Sequence, residues 1–332
     1  MNAEDFAKRI RENKLLLPPL ADYTDYPYRR VMVRFKPPFI VTEMISALAV
    51  VHGGEKTRRM LAKTNLEYEG VQLVGADPDV MAEAARIVEE LGYAYVDINM
   101  GCTIKKVARQ GAGISLMGDE EKAQQVASAV VESVDIPVMC KMRLGVSNSK
   151  LNAVTLSRKL EEAGVAAVAI HGRSGEKKWG IPVNFNGIRE VVEALSMPVV
   201  ANGGIFTGAD ARAMMEKTGA AGVMPGRGLV GNPWIVPEII AALSGDDYAS
   251  PMISERKMTC LLHMNYMREY YGDMSAAVRM RRILPKYFSG CTNIRVLRQD
   301  ICDATTPNQV AQLLDRIKDN GSHGIYDDFS PR

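Results

Sequence analysis

Eight short apolar runs, each bounded by glycine, proline or polar residues, divide the first 245 residues of the chain: Leu15–Leu20, Phe39–Thr42, Val71–Val74, Tyr95–Asn99, Pro137–Met142, Ala167–His171, Pro198–Ala201 and Gly222–Met224. They do not alternate polar with apolar positions, which is how parallel strands covered on both faces read. Helical patterns separate most of them. Asp77 stands as an N-cap before Pro78, and Gly92 stops that stretch. Residues 149–164 and 184–196 carry the same apolar spacing, Thr207 caps a segment that closes at Gly219, and Asn232-Pro233 repeats the cap-then-proline signal. Alternation of this kind predicts βα units. Eight strand candidates predict an α/β chain closed into a (β/α)8 TIM barrel rather than an open sheet.

The texture changes after residues 245–251. From Met252 onward strand-like runs are scarce, and residues 253–272 and 275–290 read as helices. Since one barrel fills about 250 residues, the 332-residue length fits a catalytic barrel over 1–245 and an all-helical domain over 251–332. A net charge of only +2 excludes a uniform polycation, so nucleic-acid affinity has to come from local clusters. Cys102, Cys140, Cys260, Cys291 and Cys302 are odd in number and contain no CxxC, which argues against a disulfide framework or a zinc site and for a reducing, cytoplasmic setting. No metal and no membrane span are expected, because no apolar run approaches the roughly 20 residues that crossing a bilayer needs.

Catalytic groups of a barrel come from the C-terminal ends of its strands and the loops that follow. A polar group stands at each such place here: Asp22, Glu43, Gln72, Asn99 with Cys102, Lys141 with Arg143, His171 with Arg173, Asn202-Gly203-Gly204, and Gly226-Arg227. The segments PPLADYTDYPYR, TEM, VQLVGADP, DINMGC, KVARQGAG, KMRLG, IHGR, VVANGGI and VMPGRGLVGNPWI occur in that order. Together they resemble the motif set of the tRNA-dihydrouridine synthases, from about residue 15 to 240, and the helical tail is similar as well.

The resemblance implies an FMN-dependent reduction of uridine to 5,6-dihydrouridine in tRNA, with hydride delivered to C6 and a proton from Cys102 to C5. A thiol is mostly protonated at neutral pH, its ordinary pKa being about 8.5, and so serves as a general acid. The plainer reading of a free cysteine is an inert buried one, which is the expectation for Cys140, Cys260 and Cys291. For FMN, the resemblance implies Pro19, Ala21, Gln72, Lys141, His171, Asn202, Gly203, Gly204, Gly226 and Arg227. Amides of the last two loops would cradle the phosphate, as barrels recurrently do there, Gln72 would read the ring edge, and Lys141 would face the N1–C2=O side. No Rossmann GxGxxG adjoins, so the reductant, NADPH or NADH, is expected to use the same pocket. Asn99, Arg143 and Arg173 are candidates for the bound base or RNA phosphate. A loop-capping asparagine and solvated rim arginines are the bland alternatives.

Two departures stand out. Thr103 follows the cysteine where the family has proline, which predicts a looser loop, and Gly204 replaces an aspartate. In the tail, Arg279, Arg281, Arg282, Lys286, Arg295 and Arg298 fall within 278–299 without an acid, with Tyr287 and Phe288 interleaved. That pattern predicts tRNA contact through Arg279, Arg282 and Lys286, with aromatics available to stack. Lys105, Lys106 and Arg109, and Lys177-Lys178-Trp179, would extend the basic track. No obligate protein partner is implied. Two other readings remain open at this level: an FMN barrel reductase of a small molecule, of the dihydroorotate dehydrogenase kind, and a non-catalytic RNA- or flavin-binding homologue.

Overall fold

A computed structural model of the chain describes residues 1–64, 66–176 and 181–318. Seven parallel strands follow one another in sequence order around a curled sheet: β1 (Ile40–Ser46), β2 (Glu69–Val74), β3 (Tyr95–Asn99), β4 (Val138–Arg143), β5 (Ala167–His171), β6 (Val199–Asn202) and β7 (Gly222–Met224). The eighth expected strand is only an extended segment. Leu16 N donates to Val223 O (3.0 Å), Val223 N to Lys14 O (2.8 Å) and Leu17 N to Phe39 O (3.0 Å), so the segment bridges β7 and the entry to β1 and closes the barrel.

The helix punctuation works largely as the sequence predicts. Asp77 accepts from the amides of Asp79 and Val80 ahead of the Pro78–Glu90 helix. Thr207 and Asp210 form a reciprocal capping box, and Gly219 ends the Gly208–Thr218 helix at φ +70. The Asn232-Pro233 signal is displaced: the helix spans Ile235–Ser244, and the Asn232 amide donates instead to Gly228 O. These residues form a turn leading into the helix.

The barrel interior grades from apolar to polar. At its base lie Phe39, Tyr95, Met139 and Ala167, plugged by Phe6 and Ile10 of the Ala3–Asn13 helix. The Tyr95 ring sits 5.1 Å from Phe6, and its hydroxyl donates to Ile40 O (2.9 Å). Above this floor Gln72 and Asp97 are paired in register, as are Asn99 and Lys141. Opposed residues of parallel strands face the same side, and side chains repeat every second residue, so the polar groups share the upper layers.

From Ile253 the chain is helical, with long helices Ile253–Tyr271 and Asp273–Tyr287. It builds a hydrophobic cluster of its own around Met264, Met280, Leu284, Tyr287 and Phe288, onto which Tyr23 and Trp234 of the barrel pack. The seam is close. Gly231 has φ +64, and a Cβ there would come within 2.6 Å of Lys286 Cβ and 2.8 Å of Tyr287 N. Tyr271 donates to Asp25 (2.8 Å) across it.

The floor yields a stability prediction. A Cβ on Gly70 would lie 2.5 Å from the buried Tyr95 ring. Gly70→Ala is expected to lower unfolding stability by about 1–3 kcal/mol through overpacking, read from urea midpoints. An unchanged midpoint would show that Tyr95 is free to shift.

Candidate active site

Cys102 sits half-exposed on the loop after β3. Several bonds hold the loop on either side of Cys102, next to Thr103. Asn99 Oδ1 accepts from the amides of Gly101 (3.2 Å) and Cys102 (2.9 Å). Cys102 O accepts from Ile114 N (3.0 Å), and Gly101 O from Arg143 Nε (2.8 Å). Gly113, at φ +61, lets the chain return so close that a Cβ would meet Cys102 O at 2.8 Å. Of the other cysteines, Cys140 and Cys260 are buried as expected. Cys291 is only half-buried, a correction to the sequence reading, because it lies beyond the helix end on the tail surface.

Asn99 is thus bound as a loop cap, with Nδ2 donating to Gln72 Oε1 (2.8 Å). Gln72 Nε2 in turn donates to Asp97 Oδ2 (2.6 Å). Each amide retains one N–H uncommitted among the described residues. Sequence reading passed over Asp97, although its place two residues before Asn99 on one strand puts both on the same face.

Across the mouth, Lys141 Nζ donates to Asn202 Oδ1 (3.2 Å), and Asn202 Nδ2 to Met224 O (2.7 Å), tying β4, β6 and β7 together. Burial lowers the Lys141 ammonium and raises the Asp97 carboxyl, and their mutual attraction opposes both shifts. His171 is held far below its ordinary value by burial first and then by Lys141, Arg143, Arg173 and Arg227, so it is neutral. Arg143 and Arg173 brace loops: Arg143 donates to Gly101 O and Ser174 O (both 2.8 Å), and Arg173 Nε to Ile181 O (2.6 Å).

Gly203 and Gly204, at φ +117 and +70, adopt the left-handed backbone that favours glycine. A Cβ on Gly203 would meet His171 at 3.0 Å, whereas Gly226 faces open space. The amides of Gly203, Gly204, Gly226 and Arg227 donate to no acceptor among the described residues. Unpaired amides beside Lys141, Arg173 and Arg227 form a setting for an anion, and they fit the phosphate of a flavin mononucleotide. Pro19 is half-buried and Ala21 exposed in the loop following the closing segment.

The loop after the closing segment turns at Asp22, a non-glycine residue with φ +65 whose N–H donates to Glu43. Glu43 lies where the register of β1 slips between Val41 and Met44. Arg279 and Arg282 of the tail reach this loop, each 3.7 Å from the Asp22 carboxylate. Arg279 also lies over the Tyr271 ring, 4.1 Å from its centroid.

The tail's charge stripe therefore divides. Arg279 and Arg282 face the mouth, Lys286 is half-buried against the Gly231 turn, and Arg281 turns inward to Ala304 O (2.8 Å). Tyr287 and Phe288 are not available for stacking. They are 1% and 0% exposed, because a small helical domain needs its large rings inside. Lys105, Lys106 and Arg109 are exposed on the rim, while Lys177-Lys178-Trp179 lie outside the described residues.

The family model described as dihydrouridine synthase (Dus) matches residues 16–322. A probable tRNA-dihydrouridine synthase of Rhodobacter capsulatus is 37% identical over 306 residues, spanning 90% of this chain and 93% of that protein. A protein of the same name from Rickettsia prowazekii is 35% identical over 284 residues, spanning 84% and 86%. A tRNA-dihydrouridine synthase B of Pseudomonas putida is 34% identical over 284 residues, spanning 85% and 84%. Among solved structures, morphinone reductase matches with a TM-score of 0.50 at 14% identity, over 73% of this chain and 88% of that one, a likeness of fold alone.

Glu43 supplies a pH prediction. Its carboxyl is raised from 4.5 to about 7, chiefly by burial, with Asp25 and Asp22 adding to the rise. The folded state therefore keeps this proton to higher pH than the unfolded chain does, and stability falls as pH rises through that interval. Glu43→Gln is expected to flatten the decline by up to about 3 kcal/mol above pH 7, read from urea midpoints at about pH 5 and about pH 8. An equal decline in both proteins would place the effect elsewhere.

Proposed function

The chain belongs to the dihydrouridine synthase family, and from that premise we propose how its residues reduce uridine in tRNA. It is a flavin-dependent oxidoreductase acting on tRNA uridine. The single observation that carries the finer reading is the half-exposed Cys102, braced on its loop and set across the mouth from two amide-bearing glycine loops within a ring of cations.

FMN, when bound, supplies the hydride that uracil C6 receives, and NADPH or NADH restores it. Gly203, Gly204, Gly226 and Arg227 hold the phosphate, and Lys141 places positive charge beside the ring. Pro19, Ala21, Gln72, His171 and Asn202 complete the cofactor's surroundings. Hydride addition at C6 leaves negative charge spread over C5 and O4 of the base. Cys102 transfers the proton of its Sγ–H to C5, the C5–H bond forms as the S–H bond breaks, and the thiolate regains a proton from solvent. Asn99, with one N–H uncommitted, offers a donor to a uracil carbonyl. Arg143 and Arg173 keep the surrounding loops in place and carry charge for the approaching RNA.

A base inside folded RNA has to leave its stack to reach this depth. We assign residues 1–245 to catalysis and 251–332 to tRNA binding, with Arg279, Arg282 and Lys286 as the gripping cations. The placement of Arg279 and Arg282 beside the mouth supports this. A small-molecule reductase has no use for such a tail, and a non-catalytic homologue has no use for so firmly held a thiol.

Cys102→Ala is expected to keep flavin and tRNA binding but to lose dihydrouridine formation by about 10²–10⁴-fold, measured by mass spectrometry of tRNA. Undiminished product would remove Cys102 as the acid. Glutamates at Arg279, Arg282 and Lys286 should leave flavin content intact and weaken tRNA binding, lowering its salt slope by about 0.7 for each phosphate no longer neutralised. Unchanged affinity across salt concentrations would refute the tail assignment.

A further inference from the structure

Asp97 is a buried carboxylate that takes no part in the hydride and proton transfers. It is 1% exposed, inside the barrel on β3. Its Oδ2 accepts from Gln72 Nε2 (2.6 Å), while its Oδ1 has no hydrogen-bond partner among the described residues. Lys141 is the opposing charge.

From this carboxylate a line of hydrogen bonds runs to the catalytic loop. The amides of Gly101 and Cys102 donate to Asn99 Oδ1, Asn99 Nδ2 donates to Gln72 Oε1, and Gln72 Nε2 donates to Asp97 Oδ2. Side-chain amides are ambiguous by themselves, because oxygen and nitrogen exchange places with a half-turn. Here the ambiguity is removed from the loop end. Backbone N–H groups only donate, so Asn99 turns Nδ2 toward Gln72 Oε1 and Gln72 in turn aims Nε2 at Asp97, and one orientation of both amides satisfies the whole line. All donors then point from the mouth toward the core, and aligned bonds of this kind polarise one another.

We propose that Asp97 is the positioning residue of the site: as terminal acceptor of this relay it fixes the orientation of the Gln72 and Asn99 amides and, through them, the backbone that presents Cys102. The relay also sets what both amides have left to offer. Each has spent one N–H and keeps the other. Ligand groups that meet those N–H groups are acceptors, such as carbonyl oxygens of a pyrimidine or of a flavin ring. The proposal rests on Cys102 being the acid, but the state of its loop can be measured apart from turnover.

The test uses the full-length flavin-loaded protein and three variants, Asp97→Leu, Gln72→Leu and Asp97→Asn. Amide hydrogen exchange at Gly101 and Cys102, and iodoacetamide labelling of Cys102 followed by peptide mass mapping, report the loop. Dihydrouridine formation reports its consequence. Both leucine variants cut the relay and are expected to speed exchange and labelling by about 10-fold, with kcat falling about 100-fold as the acid is misplaced and KM for tRNA little changed. Asp97→Asn still offers an oxygen to Gln72 and should restore most of the loss. Gln72→Leu keeps the test decisive if Asp97→Leu fails to fold. Loop protection and labelling like those of the unaltered protein in the leucine variants would overturn the proposal. So would an asparagine variant as impaired as the leucine ones, since charge toward Lys141 would then be the cause. If the unaltered protein makes no dihydrouridine, the functional reading fails while the exchange and labelling still decide the relay.

Discussion

The bonds that residues 14–17 make to Val223 on one side and Phe39 on the other close the sheet, and the rest of the mouth depends on that closure. An open parallel sheet spreads its strand ends along a line. A closed one brings them round a circle, where the loop after β3 faces the loops after β6 and β7. The register inside the circle then does the finer sorting. Gln72 opposite Asp97, Asn99 opposite Lys141 and His171 opposite Asn202 place polar groups above a floor sealed by Phe6, Phe39 and Tyr95. Water is kept from below, and chemistry is left only one direction of approach.

Electrostatics in this bowl is lopsided. Lys141, Arg143, Arg173 and Arg227 all act on His171, and Asp97 opposes Lys141 from inside the barrel. Gathering like charges in partly buried positions costs stability unless an anion compensates. Acidic groups are instead displaced to the rim, where Asp22, Asp25 and Glu43 meet the tail's arginines and Tyr271. Positive charge thus concentrates where a phosphate fits, and negative charge where the two parts of the chain join.

Much of this was legible in the residues. Apolar runs located the start of every strand of the parallel sheet within about two residues, because buried parallel strands have no polar face to confuse the reading. Asp77 and Thr207 cap as their spacing predicts, since capping is a local event. What failed depends on distant partners. Leu15–Leu20 reads as a strand but makes only bridging bonds at the barrel's seam. Tyr287 and Phe288 resemble exposed rings until the tail's core is assembled around them. The bonds of Arg143 and Ile114 to the Cys102 loop come from elements that the loop's own sequence does not display. The role of Asn99 as a brace is the capping alternative its strand-end position offered, because its bonds to Gly101 and Cys102 are local; its tie to Gln72 of a neighbouring strand is what one segment of sequence does not display.

The missing side chain at Gly231 has a consequence for selection. With the Lys286–Tyr287 backbone pressed into that space, the long tail helix is seated on the turn that follows the last glycine loop. A helix held there cannot swing without dragging the Gly231 turn with it. The span from the outer arginines to the sulfur therefore behaves as a gauge of set length. For an RNA gripped as proposed, that span sets the distance at which its contour has to deliver a uridine.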